Sequence, residues 1–373
     1  LAVPQIAISL GAIAGVAVEC VNMEALVGVT VDDVSLGNTS GKDYTGFNAV
    51  ANNNLYNKFT NATASFSTFA GAMVGVGTVN INSKTFTDVN NITAYADDIT
   101  VLANEQRTAN AVLVAADVAA GLTVGVNVMY TNIGDDLDES YDYYRGDNAD
   151  TGAAQTGTAS TTAVQGMVNN GLVGNKETID SLKANYGSGL TYKASSTMNK
   201  GTAAQSNVGV GTSVRGNSKL TASRDVNVQA TATNNVNNTL EQVQASIAVV
   251  GVATNHVNVT EHQSLLVENS DLLGRTVNIA SITNSSLVGS VGTVPIGMTG
   301  YMDTTGYLKH SGSNVVTING SSLRAKLAVS EESDTSPLAI SAVNNTNIDN
   351  SGHNVLVVGV GGGRLILEGE DAS

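Results

Sequence analysis

Tryptophan is absent from this 373-residue chain, cysteine occurs once, proline three times, and only 4% of the residues are aromatic. A lone thiol, Cys20, excludes a disulfide framework and a cysteine-based metal site, and its place in the apolar AGVAVECVNM stretch predicts simple packing. Scarce aromatics argue against an ordinary globular core, whereas small β-branched side chains suffice to fill the narrow interior of a stacked β structure. Basic residues are outnumbered by acidic ones, 17 to 32, which gives a net charge of −15. That balance speaks against nucleic acid or an anionic membrane as a partner and is an ordinary means of solubility. Long hydrophobic runs are also missing. The nearest is residues 1–18, which Pro4, Gln5, Ser9, Gly11 and Gly15 interrupt and no basic segment precedes, so no membrane span is predicted. A chain that begins with Leu1 reads as a processed form or a fragment.

What is plentiful is glycine, with 39 residues, together with asparagine and small apolar side chains; a hydrophobic content of 42% is ample for folding. Gly-Val pairs recur at Gly15, Gly75, Gly125, Gly209, Gly251 and Gly359, separated by 60, 50, 84, 42 and 108 residues. Most of these intervals lie near multiples of about 20, roughly one turn of a β-solenoid. A second phrase recurs at Asp98–Ala103, Asp225–Ala230 and Thr276–Ala280, each alternating apolar and polar residues over the length of a strand. Asparagine tolerates left-handed turns and stacks into ladders, so Asn-rich stretches are read as the turns between strands.

The expected fold is therefore all-β: a β-solenoid of roughly 15 coils, each rising about 4.8 Å, in a rod on the order of 70 Å long. Coils are expected over residues 1–133 and 206–287, and less regular coils over 288–373 with a loop near 295–313. Between them, residues 134–205 break the pattern as an acidic, partly helical insertion in which NKETIDSLKANYG carries the helix signals.

The phrases SKLTASRDVNVQATATNNVNN and ASIAVVGVATNHVNVTEHQSLLVENSDLLGRTVNIAS resemble the repeat arrays of bacterial filamentous-haemagglutinin and leukotoxin-like adhesins, over about two-thirds of the chain. That resemblance implies a right-handed parallel β-helix, secreted to the surface of a diderm bacterium, acting as a stalk or adhesive fibre. It carries no active-site residues across, and no secretion domain of that family is visible. Self-association into a filament, with a host receptor or glycan as a further partner, is the expectation, and no enzymatic activity is expected. The alternative is a β-helical polysaccharide-binding or polysaccharide-degrading protein.

Candidate sites are few. The insertion carries Asp135, Asp136, Asp138, Glu139, Asp142, Asp147 and Asp150, oxygen ligands of the kind Ca²⁺ prefers, but without EF-hand or nonapeptide spacing, so a solvated acidic loop is expected and no cofactor is assigned. Within it, Arg145, Gly146 and Asp147 form a tripeptide that on an exposed loop presents a guanidinium and a carboxylate to a receptor. His256, His262, His310 and His353 lack a metal-site pattern and are expected at polar surface positions, the first two facing differently across a turn. Asp32-Asp33 and Asp97-Asp98 are read as recurring turn residues able to stack. GVGGGRLILEG lacks the Lys-Ser/Thr of a phosphate loop.

Overall fold

Alternation of apolar and polar residues over twenty or so positions, as in DITVLANEQRTANAVLVAADVA, permits one long strand with one face buried, and that is what forms. The computed structural model describes residues 2–37, 45–134, 140–142, 191–193, 209–326 and 337–372; among these there is strand and turn but no helix. The chain repeats one order of elements: a long strand, a corner, a second long strand, a corner and a short strand.

Equivalent strands of successive units pair in parallel. The first long strands are β1 (Ala2–Ser9), β4 (Gly46–Ser67), β7 (Asp98–Ala119), β13 (Asp225–Ala245), the first half of β16 (Thr276–Asn319) and β18 (Leu338–Asn354). The second are β2 (Ala12–Asp32), β5 (Ala70–Asn90), β8 (Leu122–Gly134) continued by β11 (Val210–Arg215), β14 (Ala248–Glu268), the second half of β16 and β19 (Val357–Ala372). A separate sheet stacks the short strands β3 (Ser35–Leu36), β6 (Thr93–Ala96), β12 (Lys219–Ala222), β15 (Asp271–Gly274) and β17 (Ser322–Ala325).

The register corrects the expected period. Gly46 lies opposite Asp98, 52 residues on, Asp225 opposite Thr276, 51 on, and Val277 opposite Leu338, 61 on. The described chain thus makes six units of about fifty residues rather than some fifteen of twenty. The expected loop near 295–313 is also absent, because β16 runs through it as continuous strand. Pairing in the third unit stops at Gly134, opposite Asn82, and resumes where the Thr85 amide donates to the Gly209 carbonyl at 2.7 Å. Of the intervening residues, β9 (Ser140–Asp142) and β10 (Thr191–Lys193) form an antiparallel pair, and the expected helical segment lies outside the described residues.

The two long-strand layers face one another across the core. Ile99, Val101, Val226 and Val228 from the first meet Val89, Val214, Leu265 and Val267 from the second, and Ile92, Leu220 and Leu272 seal one end. Each such side chain contributes about 1.5–3 kcal/mol when fully buried. In β7 and β13 burial alternates cleanly, so one face is solvated. β5 and β8 are buried on both faces, and Val74, Val76, Val126 and Val128 form a separate apolar cluster on the outward side.

The corner after the second long strand uses the same device in every unit through the fifth. Asp33, Asn91, Asn217, Asn269 and Gly320 adopt left-handed backbone angles, with φ of 53°, 50°, 64°, 46° and 58°. Asp and Asn tolerate this region better than other side chains do. Asn90 Nδ2 donates to Asp32 Oδ1 at 2.7 Å and Asn91 Nδ2 to Asp33 Oδ1 at 2.5 Å, tying the first two corners together. Asp97 and Asp98 belong to a different corner, between short and long strands, where Ser223 donates to Asp97 at 2.6 Å and Arg224 pairs with Asp98. Both acidic pairs are turn residues, but they do not stack on one another.

Candidate functional site

The chemistry-bearing side chains that the fold brings together lie inside it. Midway along the long strands the inward positions switch from apolar to polar: Asn53 and Glu105, then Arg107, Asn234 and Ser285 on the first layer, facing Ser83, Thr85, Glu261 and His310 on the second. Arg107, completely buried, forms ion pairs with Glu105 and Glu261 and donates through Nε to Ser83 Oγ at 2.7 Å. Asn53 Nδ2 and Thr85 Oγ1 donate to Glu105 at 2.9 and 3.1 Å. A guanidinium can live in this interior only because it is met by carboxylates and hydrogen-bond acceptors at once.

The chain of contacts continues along the stacking direction. Asn234 Nδ2 lies 3.3 Å from Ser285 Oγ, Ser285 Oγ lies 3.0 Å from His310 Nε2, and His310 Nδ1 lies 3.0 Å from Asp371 Oδ1. Serine, histidine and aspartate thus meet in the order used by serine hydrolases. Access is what differs. Ser285 is 4% exposed and His310 1%, and Asn234 donates to the serine hydroxyl from within the interior. The trio reads as the end of a polar spine that satisfies itself.

Nearer the corner that joins the two long strands, polar side chains face glycines. Asp117 packs against Gly71, and Gln242 and Gln244 against Gly125. Burial pushes the Asp117 carboxyl up to about 6, against the opposing effect of hydrogen bonds from Ser65 and Gln244. Neither amide atom of Gln242 or of Asn127 has a hydrogen-bond partner, although both residues are buried.

The histidines depart from expectation. His256 and His262 lie on one strand, β14, six residues apart and so on the same face. His256 is buried rather than at the surface, sandwiched between Tyr130 and Tyr307 with ring centroids 4.8 Å away on each side. Desolvation, helped by the charge of Lys309, lowers its pKa to about 4. His310 is in the spine, and only His353, 3.4 Å from Glu241, keeps an exposed polar position.

Arg145, Gly146 and Asp147, and the acidic run from Asp135 to Asp150 apart from the strand residue Asp142, lie outside the described residues. Among the described residues no three His, Cys, Asp or Glu side chains cluster as metal ligands do, and no helix is long and apolar enough to cross a membrane. Comparison with known proteins adds no relative: no family model, no curated protein and no solved structure matches this chain. Sequence reasoning missed the buried spine because Glu261 lies 154 residues beyond Arg107, and only the register brings it to the neighbouring Glu105 and Arg107. The one available signal was a charged residue at an inward position of an alternating run.

Proposed function

We propose that the chain is a right-handed parallel β-helix with coils of about fifty residues, and that its role is mechanical and adhesive, as part of an extracellular bacterial surface fibre or stalk. The observation that carries this reading is the parallel, in-register pairing of equivalent described strands from Ala2 to Ala372, with the Arg107 and His310 networks turned inward and paired among themselves. Such a stack resists extension because each unit is held to its neighbours by whole ladders of backbone hydrogen bonds. Self-association and a host receptor or glycan are the partners this role implies. Electron microscopy of the native material, with and without EDTA, tests it. Fibres of uniform width support the reading, sensitivity to EDTA implicates cations at the joints, and isolated globular particles would sink it.

One observation favours the polysaccharide-binding alternative. The outward face of the first layer carries a flat grid of amides and hydroxyls, in which Asn104 donates to Asn52 at 3.2 Å and Asn345 to Asn284 at 2.9 Å across neighbouring strands. Evenly spaced amides of this kind suit the hydroxyls of an extended glycan. Retention on immobilised polysaccharides, lost on replacing Asn104 and Asn284 by alanine, would move the reading to binding.

A further inference from the structure

A straight apolar strip is exposed beside the corner between the two long strands. Ile8, Phe66, Val118, Ala245, Ile296 and Val357 lie opposite one another in register, one from each of the six units, and all face outward. The neighbouring ladder, two residues earlier from Ile6 to Val294, is apolar at each position as well. At the corner itself Phe69, Ile247 and Met298 are 61%, 55% and 66% exposed. None of these residues is charged, in a chain whose net charge is −15. Charge reappears at the margin, where Glu241 meets His353.

We propose that this strip is a contact surface for a second copy of the chain, so that two stacks lie side by side along their length. Water-soluble monomers rarely leave a contiguous apolar area of this kind uncovered. Strands spaced by about 4.8 Å make the strip roughly 25–30 Å long, and with the corner it is roughly 20 Å wide. Two copies face to face would then bury roughly 1,200 Å², the lower end of what specific interfaces use. A straight strip matches another straight strip, and an apolar centre with a polar margin is the anatomy of such contacts. A lipid surface fits less well, because the strip lacks the flanking basic residues that hold apolar segments at anionic headgroups. This lateral contact does not depend on the fibre reading, and a fibre built only end to end would leave the strip bare.

The test is sedimentation velocity and light scattering of the whole chain across a wide concentration range, at low and physiological salt. The expected result is twice the 38.0 kDa chain mass, with tighter association as salt screens the net charge. The double variants Val118→Lys/Ile296→Lys and Ile247→Lys/Met298→Lys should run as monomers with unchanged circular dichroism, and Asn235→Lys, outward on the same layer but away from the strip, should associate like the parent. The second double variant changes only corner tips, so it reports on the contact even if the first fails to fold. A monomeric parent at the highest concentration, association that both double variants retain, or association that dissolves as salt rises would each overturn the proposal. So would binding to neutral vesicles that the variants lose while the parent stays monomeric.

Discussion

At the scale of single residues, the interior holds two kinds of polar group, and they answer differently to removal. Arg107 is the hub of a satisfied network, so Arg107→Met leaves Glu105 and Glu261 facing each other without their cation. The expected loss is about 3–5 kcal/mol in chemical denaturation. Gln242 is the opposite case, since its amide is buried and makes no hydrogen bond. Gln242→Met should therefore be neutral or stabilising, by up to about 1–2 kcal/mol. Titration gives a third expectation. Asp117 has its folded pKa raised from 3.8 to about 6, so its contribution to stability is full below pH 3.8 and is lost as pH rises through 6. His256 has its folded pKa lowered from 6.5 to about 4, so its contribution is present above pH 6.5 and is lost as pH falls through 4. Each amounts to about 3 kcal/mol across nearly the same window, with opposite sign. The parent protein should show little net slope from these two groups between pH 4 and 6.5. Asp117→Asn should expose a stability that rises with pH, and His256→Phe one that falls; parallel slopes in the two variants would contradict both assignments.

At the scale of elements, the Gly-Val pairs that mark the sequence lie within long strands, except that Gly209 stands just before β11. Gly125 and Gly251 share one inward column, but Gly15 stands opposite Met73 in that column and Gly251 opposite Met302. Glycine there makes room for the neighbouring unit's side chain: a Cβ on Gly251 would collide with Met302 and Gln244, whereas one on Gly11 would meet nothing. Gly251→Ala should cost about 1–3 kcal/mol in thermal or chemical unfolding, and Gly11→Ala close to nothing. This is also why the period was misread. Gly75 and Gly125 are fifty residues apart in sequence, yet their columns differ, since Gly75 lies opposite Asn127. The phrases beginning at Asp98, Asp225 and Thr276, by contrast, are true neighbours in register, and the β class and the strand face were legible from their alternation. The buried spine was not, because nothing local distinguishes an inward glutamate from an outward one until the register across fifty residues is known. Asparagine misled in the same way, serving at corners such as Asn91 but also as a rung within strands, as in the Asn104–Asn52 pair.

At the scale of the whole molecule, units that contact only their neighbours should be separable, and the register says where to cut. Asp225 lies opposite Thr276, and the amides of Arg275 and Thr276 both donate to the Arg224 carbonyl, at 2.6 and 3.2 Å. Deleting residues 225–275 would join Arg224 to Thr276 and remove one complete unit without moving any remaining strand out of its column. In the shortened chain Tyr130 would come to stack on Tyr307, since His256 now stands between them, and the apolar strip at the corner would lose one rung, Ala245 with Val243 and Ile247 beside it. Arg107 would keep Glu105 but lose Glu261, so stability should fall while the β circular dichroism per residue stays unchanged. A deletion of residues 225–244 instead, one turn of a twenty-residue repeat, would shift every later strand against its partners and turn matched inward columns onto the wrong neighbours. Cooperative melting of the first deletion and aggregation of the second is the expected outcome. Two deletions that fold equally well would mean that the spacing of about fifty residues does not govern the stack.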